Sequence, residues 1–263
     1  MTNNTILHHL DSRGVARLTL NRPAKHNAFD DQMIQAMNNQ LTQWHTDSAV
    51  RLLIIDANGN SFSAGADLSW MKRTATLSFQ ENLSDANALA NLMKRIDTFP
   101  CPVISLVNGP AYGGALGLIA ASDMAFCSPD ASFCLSEVRL GLIPAVISPY
   151  VIRAIGERSA RRYMLSAEIM SADEAYRLGL VHAITSDLPA TADELAKRLL
   201  KNGSSAMSAC KTLIQTVASR LLDDTLIAET SERIAHIRTS EEGQEGLQAF
   251  LEKRPPAWIK EPS

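Results

Sequence analysis

The feature that most constrains this chain is a unit that occurs twice: a compact apolar run, a turn rich in small residues, and a helical pattern. RLLIIDA (51–57) leads through NGNSFSAGAD into LSWMKR, and PVISLVNG (102–109) leads through GPAYGG into ALGLIAAS. Successive strands that are joined by helices pair in parallel, because a parallel pair needs a long crossover connection. The sequence therefore predicts an α/β fold with a parallel sheet, and DMAFCS and ASFCLS are predicted to form two further short strands.

Other patterns surround these units. TILHHL and VARLTL flank DSRG and predict a hairpin. After Asp30, a predicted N-cap, five apolar residues fall on one helical face: Met33, Ile34, Met37, Leu41 and Trp44. From Pro144 onward the period is helical, and SADE (171–174) and TADE (191–194) are predicted capping boxes that begin helices. We expect a strand-rich core over residues 1–198 and a helical region over residues 199–263.

Composition and charge narrow the class of protein. Of 263 residues, 46% are hydrophobic and 20% charged, which is typical of a globular domain. The net charge of −3 without a run of one sign disfavours nucleic acid as a partner. The N-terminus lacks the pattern of a secretory signal, and no apolar run is long enough for a membrane span, so a cytoplasmic location is expected. The four cysteines show no metal-ligand spacing, and we expect free thiols and no metal site.

Two glycine turns suggest a chemical role. SAGAD (63–67) and YGGAL (112–116) each lie between a predicted strand and a predicted helix. Helix N-termini carry unpaired N–H groups, and small residues leave those groups accessible. Two such turns could direct two backbone donors at one carbonyl oxygen, which is the arrangement of an oxyanion hole. The alternative is that the glycines serve only close packing of helix on sheet.

Glu137 is the candidate acid–base group. It is the only carboxylate between Asp130 and Glu157, and it lies in the apolar segment LSEVRLGLIP. Apolar surroundings raise the pKa of a carboxyl, which suits proton transfer. The alternative is a structural ion pair with Arg139.

The chain resembles the crotonase family, the enoyl-CoA hydratases and isomerases, from about Gly14 to Trp258. Five segments in family order and spacing carry the resemblance: NRPAKHNAF, SFSAGADL, NGPAYGGALGL, LSEVRLGLIP and EGLQAFLEKR. The resemblance implies a spiral core of ββα units and a C-terminal helical region that forms trimers, often paired as a dimer of trimers. It also implies acyl-CoA thioester substrates and no metal or redox cofactor.

The same resemblance implies roles for particular residues. The backbone N–H groups of Ala66 and Gly114 would form the oxyanion hole, and Glu137 matches the family's second catalytic glutamate. Further residues would bind CoA: Lys25 near its phosphates, Ala64, Gly65, Ala66, Asp67 and Leu68 at the adenine and pantetheine, and Phe250 and Lys253 from the tail, often of a neighbouring subunit. Asp67 could also cap its helix through its side chain.

The chain departs from the family's hydratases at Gly117, which stands where they commonly carry their first glutamate. Water addition needs both a base and an acid, and each is worth roughly 10²- to 10⁴-fold in rate. Three interpretations follow: a Δ3,Δ2-enoyl-CoA isomerase that uses Glu137 alone, a hydratase in which Glu137 serves both roles or is helped by another group, and a CoA-binding scaffold without activity.

Finer similarity favours a hydratase. FSAGADLSWMKR and the long segment around LIPAVISPYV resemble a bacterial branch that includes 3-methylglutaconyl-CoA hydratase and isohexenylglutaconyl-CoA hydratase. The resemblance thus implies hydration of 3-methylglutaconyl-CoA to 3-hydroxy-3-methylglutaryl-CoA in leucine breakdown. A distal substrate carboxylate would meet a polar or cationic group, for which there are four candidates that could equally be structural: Arg139, Ser148, His26 and Tyr112.

Overall fold

The computed structural model describes residues 4–259. Residues 1–3 of the predicted core region and residues 260–263 of the predicted helical region lie outside the described range. Within residues 4–259 the chain forms these strands: β1 (Ile6–Leu10), β2 (Val15–Leu20), β3 (Leu52–Ala57), β4 (Val103–Val107), β5 (Ala111–Tyr112), β6 (Met124–Cys127), β7 (Ser132–Cys134), β8 (Met170–Ser171) and β9 (Ala183–Ile184). The same range forms these α-helices: α1 (Asp31–His45), α2 (Leu68–Thr74), α3 (Phe79–Asp97), α4 (Ala115–Ala121), α5 (Ser148–Ser166), α6 (Ala172–Leu178), α7 (Leu188–Leu199), α8 (Ser204–Val217), α9 (Asp224–Thr239) and α10 (Glu241–Glu252).

The main sheet has six strands in the order β1-β2-β3-β4-β6-β9. β1 and β2 form the predicted antiparallel hairpin, and every other neighbouring pair in this sheet is parallel. The register of β2 on β3 runs from Val15 opposite Leu52 to Leu20 opposite Ala57. The prediction of an α/β fold with a parallel sheet is confirmed.

Both faces of this sheet are covered, which explains why its central strands β3 and β4 are mostly apolar. Leu53 and Ile55 of β3 face the larger core, where α1 and α3 pack on the sheet. Leu52 and Ile54 face the opposite way, against Leu188, Ala192 and Ala196 of α7. The alternation along β3 therefore separates two apolar layers, and α7 closes the second one.

A second, smaller sheet contributes to a strand–strand–helix unit that occurs twice in the fold. β5, β7 and β8 form it, and Ser63 joins β5 through a parallel bridge to Ala111. In the first unit the chain passes from β3 through the bridge at Ser63 to α2. In the second unit it passes from β4 through β5 to α4. Because the main strands are parallel, the turns that leave them meet at one edge, and this edge holds the candidate site.

The C-terminal helices α8, α9 and α10 attach to this core through polar contacts. Lys211 of α8 pairs with Asp123 at 2.7 Å, and Arg51 donates to the Ser204 hydroxyl at 2.9 Å. Trp258 donates its indole N–H to the carbonyl of Lys201 at 3.0 Å. The four cysteines are free thiols, as predicted, and no helix within the described range is long and apolar enough to cross a membrane.

Several helices differ from the sequence-based expectation at their start or along their length. TADE lies inside α7, which begins one turn earlier with Asp187 as its N-cap and a proline in its first turn, so the capping box predicted there is wrong. At SADE, Ser171 caps α6 as predicted, but the Glu174 side chain turns to Arg177 and Tyr163 instead. α5 begins at Ser148 and is broken at Gly156, whose φ of 76° is not helical.

Candidate active site

Two glycine turns meet at the edge of the sheet, as the sequence predicts. Gly65 has φ of 91° and Gly113 has φ of 54°, both in the left-handed region that favours glycine. A Cβ atom built on Gly65 would lie 3.1 Å from the carbonyl oxygen of Tyr112 and 3.9 Å from the Cα of Gly113. A side chain at Gly65 would therefore crowd the Tyr112 carbonyl of the second turn, whereas one at Gly113 would crowd the Glu137 carboxyl.

The first turn leaves one backbone donor unused. The Phe29 N–H donates to the Gly65 carbonyl at 2.7 Å, and the Asp67 N–H donates to the Phe29 carbonyl at 2.7 Å. These bonds flank Ala66, whose own N–H donates to no acceptor within residues 4–259. Ala66 is exposed, so its N–H is accessible to a ligand.

The second turn has the same property. The Gly113 N–H is held by the carbonyl of Cys134 at 2.8 Å, while the N–H of Gly114 has no acceptor in the described part of the chain. Gly114 precedes α4 as its N-cap residue, and a Cβ atom on it would lie 3.6 Å from the ring of Phe29. Ala66 and Gly114 thus each have a backbone N–H without an acceptor among the described residues, the first next to the Phe29 backbone and the second next to the Phe29 ring.

Glu137 lies against the second turn. Its Oε1 is 3.3 Å from the position that a Cβ atom on Gly113 would occupy, next to Gly114. Glu137 begins the 3₁₀ turn Glu137–Leu140, which ends at Gly141 in the left-handed conformation. The absence of a side chain on Gly113 is what allows the carboxylate to approach the backbone so closely.

The surroundings of Glu137 favour its neutral form. Burial raises the pKa of this carboxyl, and Oε2 is buried without a hydrogen-bond partner among the described residues. The alternative interpretation, an ion pair with Arg139, is wrong, because the Arg139 guanidinium donates to the carbonyl of Ala167 at 2.5 Å instead. Glu137 is therefore an unpaired carboxyl beside a free backbone donor, which suits an acid–base group.

The space beside Gly117 is filled by apolar side chains. A Cβ atom on Gly117 would lie 2.3 Å from Cγ2 of Ile147 and 2.8 Å from the sulfur of Met93. Ile147 and Met93 are both buried. A side chain at Gly117 would therefore require Ile147 and Met93 to move, and no carboxylate stands at this position beside Glu137.

The loop predicted to bind CoA carries both exposed and buried residues. Ala64 and Leu68 are exposed, whereas Asp67 is only 5% exposed and caps α2, as predicted, by accepting from the N–H groups of Ser69 and Trp70. The Lys25 ammonium lies 2.9 Å from Asp67 Oδ2 and forms an ion pair with this carboxylate. The Asp67 carboxylate therefore partly compensates the positive charge of Lys25.

The predicted tail residues of the CoA site, Phe250 and Lys253, make no polar contact with this loop within the described residues. Phe250 is 80% exposed on α10, and Lys253 ends that helix. α10 packs on α8 and α9. Across residues 4–259 no hydrogen bond or ion pair joins either side chain to the Ala64–Leu68 loop, so a single chain does not bring the predicted tail residues onto the CoA loop by polar contacts.

The four candidates for a distal carboxylate are all engaged in the fold. Arg139 holds the carbonyl that ends α5, His26 Nδ1 lies 3.0 Å from the Ser61 hydroxyl, and the Tyr112 hydroxyl lies 3.2 Å from that of Ser132. The Ser148 hydroxyl donates to the Ala145 carbonyl at 2.8 Å. The structure thus assigns a structural contact to each of them.

Two residues that contribute to the site were not predicted from the sequence. Arg22, 14% exposed, pairs with Asp67 and Asp30, and Ile147 fills the space at Gly117. Arg22 stands in NRPAKHNAF, three residues before Lys25, so its place in a motif was a usable signal. No local pattern reveals Ile147, because its partner lies thirty residues away in the chain.

Comparison with known proteins identifies the family of the chain. The family model described as enoyl-CoA hydratase/isomerase matches residues 11–261. The crystal structure of an enoyl-CoA hydratase from Shewanella pealeana has a TM-score of 0.95 at 50% identity, covering 98% of this chain and 97% of that one. This confirms the crotonase-like fold.

Curated relatives extend over nearly the same length. The short-chain-enoyl-CoA hydratase of Clostridium acetobutylicum is 32% identical over 96% of this chain and 96% of its own. The 2,3-dehydroadipyl-CoA hydratase of Escherichia coli is 32% identical over 92% of this chain and 94% of its own. Since a family model and full-length relatives agree, the chain belongs to the enoyl-CoA hydratase/isomerase family.

Proposed function

We propose that the protein adds water to the double bond of a 2-enoyl-CoA thioester and that Glu137 is its single acid–base group. The observation that carries this proposal is the position of Glu137: an unpaired, partly buried carboxyl against Gly113, beside the free N–H of Gly114. The free N–H of Ala66 supplies the second backbone donor.

The reaction follows from these groups. The thioester oxygen accepts from the N–H groups of Ala66 and Gly114, which stabilise the negative charge that develops on it, each donor contributing about 3 kcal/mol. The Glu137 carboxylate takes a proton from water while the water oxygen bonds to C3. The protonated carboxyl then gives that proton to C2, so that one water molecule is added and Glu137 returns to its ionised form.

We propose 3-methylglutaconyl-CoA as the substrate, with 3-hydroxy-3-methylglutaryl-CoA as the product. The similarity of FSAGADLSWMKR and LIPAVISPYV to the bacterial branch of such hydratases supports this choice. A relative named for 2,3-dehydroadipyl-CoA, the thioester of a dicarboxylic acid, supports an acyl chain with a distal carboxylate. No bound metal or redox cofactor is needed for this reaction.

A second candidate is a Δ3,Δ2-enoyl-CoA isomerase. Ile147 and Met93 occupy the space beside Gly117, so the site offers one carboxylate where a hydratase of the usual kind has two. One carboxylate is sufficient to remove a proton from C2 of a 3-enoyl thioester and return it to C4.

A substrate panel separates these functions. Purified protein is assayed for hydration of 3-methylglutaconyl-CoA and of crotonyl-CoA, and for isomerisation of a 3-enoyl-CoA. We expect the highest kcat/KM for hydration of 3-methylglutaconyl-CoA. Faster isomerisation than hydration would replace the proposal by the second candidate, and binding of CoA esters without turnover would indicate a scaffold.

A further inference from the structure

The orientation of the Ala66 N–H is set by the peptide unit that carries it. The carbonyl of Gly65 accepts from Phe29, and in a trans peptide the N–H points opposite to the carbonyl. The N–H of Ala66 therefore points away from the Phe29 backbone. Any rotation of this peptide unit would break the Phe29–Gly65 bond and turn the donor with it.

Asp67, which follows Ala66 in the chain, is held in place by contacts of both its backbone and its side chain. Its backbone N–H donates to Phe29, and its side-chain Oδ1 accepts from the N–H groups of Ser69 at 2.8 Å and Trp70 at 3.3 Å. Its Oδ2 accepts from Arg22 Nη2 at 3.0 Å and Lys25 Nζ at 2.9 Å. One buried carboxylate thus joins the start of α2 to the loop that contains Phe29.

Arg22 ties this carboxylate to the same loop from the other side. Its Nη1 donates to the carbonyl of Ala28 at 2.6 Å and lies 2.9 Å from Asp30 Oδ2. Two cations and two carboxylates form this cluster: Arg22, Lys25, Asp30 and Asp67. The hydrogen bond from Lys25 and the backbone donors of Ser69 and Trp70 hold the pKa of Asp67 well below its usual range, so the carboxylate stays ionised.

We propose that Asp67 is a positioning residue for the reaction: its side chain holds the Gly65–Ala66 peptide so that the Ala66 N–H stays directed at the thioester oxygen. The carboxylate already accepts four donors from the protein, so it acts through Ala66 and not by touching substrate. This inference rests on the proposed function, because it assumes that the Ala66 N–H binds the thioester oxygen.

The test is Asp67→Asn, read by the infrared band of the thioester carbonyl. The asparagine oxygen keeps the cap on α2, while its NH₂ group replaces the acceptor that faces Arg22 and Lys25. Butyryl-CoA labelled with ¹³C at the carbonyl is bound to the full-length protein. Hydrogen bonds to the oxygen polarise the carbonyl and move its band to lower frequency, and we expect this shift in the parent protein.

In Asp67→Asn we expect most of that shift to be lost. We also expect kcat to fall about ten- to a hundredfold, while KM changes by less than about threefold. Asp187→Asn is the matched control, because Asp187 caps α7 through its side chain in the same way but lies on another helix. It should keep the parental band and kcat.

The outcomes separate the two claims. No shift in the parent protein would reject the oxyanion hole itself. A parental shift that Asp67→Asn retains in full, with unchanged kcat, would overturn the role of Asp67 alone. If Asp67→Asn does not fold, Asp67→Ser carries the same test, because a serine hydroxyl can cap α2 but brings no charge to Arg22 and Lys25; a full shift with unchanged kcat in folded Asp67→Ser would equally overturn it.

Discussion

At the scale of single residues, the protonation of Glu137 governs the expected pH dependence. Burial raises the pKa of this carboxyl, and no cation compensates it. Because the ionised form takes the proton from water, kcat/KM should rise with pH through the raised pKa and level off above it. The measurement is a kcat/KM profile between about pH 4 and pH 8, a range that spans ordinary and raised carboxyl values. A flat or falling profile would contradict this role.

Gly117 and Ile147 should behave as a coupled pair. In Gly117→Ala the new methyl meets Ile147 Cγ2, so we expect a loss of stability of about 1–3 kcal/mol, as for other overpacked cores. Ile147→Leu removes that β-branch while keeping the volume of the side chain.

Urea denaturation of both single variants and the double variant measures the coupling. The double variant should be more stable than the sum of the single changes allows, by at least about 0.5 kcal/mol. Additive changes, or a Gly117→Ala variant as stable as the parent, would show that the space is not filled as described.

At the scale of elements, a partly buried ion pair connects the C-terminal helices to the core. The Lys211 side chain is 11% exposed and pairs with Asp123, which also accepts from the N–H of Val103 where β4 begins. Lys211→Met should leave the partly buried Asp123 carboxylate without its cation and lower the free energy of unfolding by about 1–3 kcal/mol, between the values for exposed and fully buried pairs. Burial raises the pKa of Asp123, so uptake of a proton limits this loss.

Lys197→Met is the matched control for that change. Lys197 pairs with Asp193 one helical turn away on the exposed face of α7, and such pairs contribute about 0.5 kcal/mol or less. Thermal or urea unfolding compares the two variants. If Lys211→Met costs no more than Lys197→Met, the ion pair does not hold α8 on the core.

Local signals predicted the elements well where they act over a few residues. The hairpin, the Asp30 cap of α1 and the buried strands β3 and β4 follow from patterns of at most a dozen residues. α3 was not predicted, although Ser78 and Glu81 form a full capping box at its start, because its mostly polar sequence shows little apolar periodicity.

Long-range contacts limited the prediction of the site. Gly65, Gly113 and Glu137 could be placed because each belongs to a recognisable motif at the end of a strand. The Arg22–Asp67 pair joins positions 45 residues apart, and the contact of Ile147 with Gly117 depends on how α5 packs on α4. Such contacts follow from the three-dimensional packing and leave no periodic pattern.

At the scale of the whole molecule, several large apolar side chains near the C-terminal end of the described chain are exposed to solvent. Four of them are at least 78% exposed: Leu221, Leu222, Phe250 and Leu251. Apolar patches of this kind mark protein interfaces. We expect a trimer or a dimer of trimers, in which Phe250 and Lys253 reach the CoA loop of a neighbouring chain.

Light scattering during size-exclusion chromatography measures this directly. The expected mass is three or six times the chain mass of 28.6 kDa. Leu221→Glu together with Phe250→Glu should shift the protein toward smaller species. A parent protein that elutes with the mass of one chain at micromolar concentration would contradict the expectation.

The most direct test of the central claim is the rate of 3-methylglutaconyl-CoA hydration by Glu137→Gln. The amide keeps the size of the side chain but cannot accept and return the proton, so kcat should fall by at least about 100-fold. Circular dichroism and CoA-ester binding should remain those of the parent, since no described hydrogen bond or ion pair depends on the Glu137 carboxylate. Near-parental hydration by the folded variant would contradict the assignment of Glu137 as the acid–base group.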